Sequence, residues 1–191
     1  MKQETTLKKR YIFKLLANFI SALIGAILVA IVPKALGPIA YGQFIYLQEF
    51  FTKVIGFLDM GSSIAFFTKL SAKQSRKELI SFYFLFSLLI FALLVLFIFL
   101  GFYFEFLSVF VPDIPIFYIF LGLFFFFFSW FTQVYTKIAD AYALTVSYEI
   151  IKIFHKIITL FLLLFFIYYL SFNLDLYFYF NYISLVSFLL V

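Results

Sequence analysis

From Leu79 to Tyr103 the chain runs for 25 residues without a single formal charge. A helix needs about 20 apolar residues to cross the hydrocarbon core of a bilayer. A run of that length has few destinations other than lipid, and it is not alone. Runs of spanning length read as Tyr11 to Val32, roughly Tyr41 to Phe67, Leu79 to Tyr103, Ile114 to Tyr135 and Ile150 to Leu170. A sixth begins near Leu176 and is still apolar at Val191. The composition agrees: 66% of residues are hydrophobic and 12% charged, where a soluble domain is nearer half and a quarter. The mean hydropathy is +1.16. So much apolar surface cannot be hidden inside 191 residues. The expected fold is therefore all-α, a bundle of about six transmembrane helices. A spanning barrel would need alternating segments of roughly ten residues, and none is present.

The connectors carry turn chemistry. PKALGPIAYG (33–42) holds two prolines and two glycines, VPDIP (111–115) holds two prolines, and SFNLD (171–175) is the third link on that side. The other side has KLSAKQSRKE (69–78) and KIADAYALTVSYE (137–149). Lys2, Lys8, Lys9, Arg10, Lys69, Lys73, Arg76, Lys77 and Lys137 fall on this second side, against Lys34 alone on the first. Basic residues mark the cytoplasmic side, so the N-terminus is expected inside. The same flanking residues account for the net charge of +5 without any nucleic-acid partner. The first span lacks a small-residue cleavage site and reads as retained rather than as a signal peptide. There is no cysteine and one histidine, which removes thiolate chemistry and leaves little for a metal cluster. The acids do not cluster and the aqueous loops are short, so an enzyme is not expected.

Charges inside the spans then become informative, since a Lys or Asp at mid-membrane costs roughly 2.5–3.5 kcal/mol to insert. The second span contains EFFTKVIGFLDMG (49–61). Lys53 falls near its middle, with Glu49 one turn before it in the favourable order for a pair. Gly56, Met60 and Ser63 continue the same stripe. Two readings stay open: a self-neutralising pair that packs spans together, or a pair lining a polar pathway. Asp59 stands between Gly56 and Gly61, where the helix is expected to break. In the first span Lys14, Asn18, Ser21 and Gly25 share one face, suited either to a cavity or to close helix contact. The fifth span opens with Glu149, Lys152, His155 and Lys156. These basic groups either snorkel to lipid phosphates or receive an anionic headgroup. His155 is a titratable candidate, though one histidine is a thin basis for proton coupling. The run Phe124 to Phe128 is read as lipid-tolerant bulk with no site.

PKALGPIAYGQF (33–44) followed by LDMGSSIAFFTKLS (58–71) resembles the N-terminal signature of the polysaccharide biosynthesis protein family. These are the oligosaccharide flippases of the multidrug/oligosaccharidyl-lipid/polysaccharide exporter superfamily. Lys34, Leu36-Gly37-Pro38, Tyr41-Gly42, Asp59 and Gly61 fill the family's ordered positions, and the likeness covers about residues 10–75. The resemblance implies two six-helix lobes, often with two extra helices, around a cationic cavity worked by alternating access. It also implies transport of undecaprenyl-diphosphate-linked oligosaccharide, such as an O-antigen or lipopolysaccharide precursor, across a bacterial cytoplasmic membrane. Family members have about twelve or more spans, so residues 1–191 correspond to the N-terminal lobe, and a fragment is expected. On this reading Lys53 binds the diphosphate, and Lys14, Lys152 and Lys156, with Asn18 nearby, serve the cytoplasmic entrance. Glu49 and Asp59 hold the lysines when the site is empty or couple transport to H+ or Na+. Two alternatives remain: a cation-coupled drug exporter of the same superfamily, and a non-transporting membrane scaffold for glycosyltransferases or a glycan polymerase.

Overall fold

The computed structural model describes residues 7–73 and 77–189. Lys2 and Arg76, two of the nine basic residues counted above, and the final residues of the sixth run lie outside them. Eight helices and no strand occur among the described residues: α1 Leu7–Leu36, α2 Pro38–Asp59, α3 Ser62–Ala72, α4 Lys77–Tyr103, α5 Leu107–Phe110, α6 Ile116–Ala141, α7 Thr145–Tyr169 and α8 Leu174–Leu189. Helices α1, α4, α6 and α7 are each long and apolar enough to cross a membrane. The pair α2 and α3, bent by 55°, makes a fifth candidate. The protein is a multi-pass helical membrane protein. The expected sixth span is shorter than a crossing requires among the described residues. At 16 residues α8 rises about 24 Å, against a hydrocarbon core of about 30 Å.

Two expected connectors are largely helical. The 33–42 link shrinks to one residue, because Pro33 lies within the last turn of α1, where few backbone bonds remain to lose. Gly37 at φ +81° ends that helix, its N–H donating to Pro33 O at 3.0 Å. Pro38 then opens α2, the position where a missing N–H costs nothing. Likewise α6 continues through the expected 137–149 loop to Ala141, and only 142–144 turn, with Ala143 at φ +60°. The 171–175 link behaves as expected: the Asn173 side chain accepts the Leu176 N–H at 2.9 Å and caps α8.

The chain divides into two compact units: the described parts of Met1–Gly42 with Thr136–Val191, and Gln43–Tyr135. In the first, α1 packs along α7 and α7 against α8. Val32, Leu163 and Phe180 form its core, ringed by Leu28, Leu36, Leu162, Phe166 and Tyr177. Val32 meets Leu163 at one end while Lys14 meets Asp140 and its neighbour Thr145 at the other. Helices α1 and α7 therefore run side by side in the same direction.

The second unit is built on α2, α4 and the first part of α6. Leu47, Phe51 and Ile55 of α2 are buried, as are Ile90, Leu94 and Ile98 of α4 and Leu123 of α6. Gly122 lets α2 and α6 approach closely: a Cβ there would stand 3.0 Å from the Phe51 ring. Two residues of the phenylalanine run, Phe126 and Phe127, are core, and Phe126 stacks on Phe51 with ring centroids 6.1 Å apart. Phe124 and Phe128 stay exposed. The outer faces of the long helices are apolar as well, with Phe82, Leu85 and Leu89 of α4 exposed. That is the surface a lipid solvent requires and water would not tolerate.

Candidate functional site

Helix α2 is two-faced. Phe44, Leu47, Phe51, Ile55 and Asp59 turn into the second unit. Glu49, Lys53, Gly56 and Met60 turn out of it, spaced four, three and four, which is one continuous helical stripe. Met60 is 81% exposed, and open space stands where a Cβ at Gly42 or Gly56 would project. One end of α2 is fixed in register by two bonds: Tyr46 Oη donates to Phe110 O at 2.6 Å and Gln43 Nε2 to Asp113 O at 3.3 Å. Glu49 and Lys53 are both exposed, and neither forms an ion pair among the described residues. The pairing expected from their order is thus not made.

Asp59 has a different part. Its Oδ1 accepts from Ser62 Oγ at 2.5 Å and Ser63 N at 3.0 Å, and its Oδ2 accepts from Ser63 Oγ at 2.7 Å. Tyr83 Oη of α4 stands 3.4 Å from Oδ1. Met60 at φ +45° and Gly61 at φ +78° make the bend, and the buried carboxylate satisfies the start of α3. The sequence located the break correctly and offered Asp59 as a coupling acid. Here the carboxylate serves as the cap of a broken helix, with both oxygens engaged.

The remaining candidates belong to the first unit. Lys14 of α1 pairs with Asp140 near the end of α6 at 2.5 Å, and Thr145 Oγ1 at the start of α7 donates to the other Asp140 oxygen at 2.9 Å. One turn along α7 from Thr145, Glu149 is 1% exposed and has Lys152 Nζ 3.4 Å from its Oε2. Lys156, one turn beyond Lys152, is half-buried. Thr136 and Tyr148 share a hydrogen bond of 2.8 Å that ties α6 to α7. Asn18 is exposed on α1 beside buried Ala17, so the packed face of α1 runs one residue to the side of the stripe expected from sequence. Ser21 keeps its Oγ buried with no hydrogen-bond partner among the described residues. His155 binds α8: Nε2 lies 2.8 Å from Ser184 O and 2.9 Å from Ser187 Oγ. A hydrogen bond to the carbonyl requires Nε2 to carry the proton, so this nitrogen holds two helices together.

Asp140 escaped the sequence reading altogether. Its nearest signal was an acid five residues before a threonine at a helix–helix turn, a pattern that looks like ordinary turn chemistry. Among the described residues no three His, Asp or Glu side chains gather as a metal-binding group. Comparison with protein-family models, curated proteins and solved structures finds no match.

Proposed function

We propose that this chain is a transport lobe of a flippase that moves undecaprenyl-diphosphate-linked oligosaccharide across the bacterial cytoplasmic membrane for cell-surface polysaccharide synthesis. The observation that carries the proposal is the outward stripe of α2 with Glu49 and Lys53 unneutralised. Lys53 stands fifteen residues into α2, about 22 Å of helical rise from its start. If α2 and α3 together form a span, that lies within the hydrocarbon layer, where an ammonium facing lipid costs up to roughly 2.5–3.5 kcal/mol at the centre. The face must therefore meet water or an anion. A diphosphate headgroup crossing the membrane supplies such an anion, while its prenyl tail stays in lipid. The signature at 33–44 and 58–71 supports the same class of substrate. In the first unit, Lys14 and Lys156 are the cations offered to the headgroup at the cytoplasmic step.

Cation-coupled drug export is the weaker reading, because one of its two coupling acids, Asp59, is engaged as a helix cap. In cells, Lys53→Ala at equal protein level should abolish the delivery of lipid-linked glycan to the outer leaflet. Normal delivery by that variant would sink the proposal. Intact function in a Glu49→Gln, Lys53→Met double variant would point to a membrane scaffold, in which the spans need only pack.

A further inference from the structure

Two ion pairs stand at the same end of the first unit, and they differ in kind. Glu149 is enclosed, and its Oε2 has no hydrogen-bond partner among the described residues, so Lys152 cannot leave without stranding a buried charge. The Lys14–Asp140 pair is open: the two side chains are 43% and 19% exposed. Asp140 also keeps a second partner in Thr145 Oγ1, so its carboxylate remains held when Lys14 turns away. An ion pair with one accessible cation and one independently anchored acid is suited to exchange of the cation's partner.

We infer that Asp140 is a built-in placeholder for a phosphate group, neutralising Lys14 in the empty protein and giving it up to an incoming diphosphate headgroup. The inference deepens the transport reading and rests on it for the identity of the anion. A diphosphate carries more charge and more acceptor oxygens than one carboxylate, so it competes for the ammonium at short range. Thr145 keeps one hydrogen bond to the displaced carboxylate, whose side chain is 19% exposed and so also open to water when Lys14 turns away. The sequence reading gave this holding role to Glu49 and Asp59. The geometry moves it to Asp140, on a different helix.

The test uses the purified chain in phosphatidylcholine nanodiscs at low salt, titrated with inorganic pyrophosphate. Asp140→Asn should bind about tenfold more tightly than the unaltered protein, a difference of about 1.4 kcal/mol. Adding Lys14→Gln should remove that gain. Equal or weaker binding by Asp140→Asn, or a gain that survives Lys14→Gln, overturns the inference. A second measurement needs no variant: pyrophosphate should raise labelling of Asp140 by a water-soluble carbodiimide, read by mass spectrometry. Unchanged or reduced labelling overturns it equally. If phosphatidylglycerol nanodiscs raise the labelling and pyrophosphate does not, the anion is a bulk lipid headgroup, and the assignment to diphosphate falls. The glycan-delivery assay of Lys53→Ala fails or succeeds independently, so loss of the transport reading and loss of the exchange are distinguishable.

Discussion

Asp59 shows how one carboxylate can be read two ways at the residue scale. As a coupling acid it would need a free oxygen. As a cap it supplies acceptors to Ser62, Ser63 and Tyr83 at the point where α2 ends. The readings part in a simple experiment. Asp59→Ala leaves those donors without an acceptor and should cost about 1–3 kcal/mol. The effect is read as a lower thermal midpoint in detergent micelles. Asp59→Asn keeps an acceptor oxygen and should cost less. A variant Asp59→Asn that is fully stable yet inactive in transport would return the residue to a coupling role. The contrast with Lys14 is instructive. Lys14 was expected to await a substrate anion, and the fold instead gives it Asp140 from 126 residues away.

At the scale of elements, the geometry of α2 follows from what its two sides touch. Its buried side depends on the gap left by Gly122 of α6. Gly122→Leu would push against Phe51 at 3.0 Å and Leu47 at 3.4 Å, and should destabilise the second unit by about 1–3 kcal/mol. Gly56→Ala, on the outward stripe, meets nothing and should leave the thermal midpoint unchanged or slightly raised. Equal losses from both substitutions would mean that the outward stripe is packed. The bend between α2 and α3 belongs to this scale too. Gly56 and Gly61 announced it, and the left-handed Met60 and Gly61 place it one residue beyond Asp59.

For the molecule as a whole, the alternate crossing of the spans is testable because the chain has no cysteine. Single substitutions Lys73→Cys and Ser171→Cys give clean positions on opposite sides. In intact cells a membrane-impermeant maleimide should label Ser171→Cys, and Lys73→Cys only after permeabilisation. The reverse pattern would invert the orientation taken from the basic residues. The parallel run of α1 and α7 is what odd-numbered first and fifth spans require.

The sequence by itself determined the solvent and the class of fold. Runs of about 20 apolar residues leave a backbone no choice but to bond within a helix, and that requirement is local. It also located the Gly61 break and the 171–175 link, since turn chemistry acts within a few residues. It found the 33–42 and 137–149 links but not their extent: helix covers all of them except Gly37 and residues 142–144. Partner choice was not legible at all. Whether Lys14 meets Asp140, and which phenylalanines of 124–128 are core, depend on contacts between residues far apart in the chain. Only the tertiary structure decided these, because an ion pair or a packed ring is fixed by which helix faces are brought together, and spacing along one helix cannot specify its neighbour.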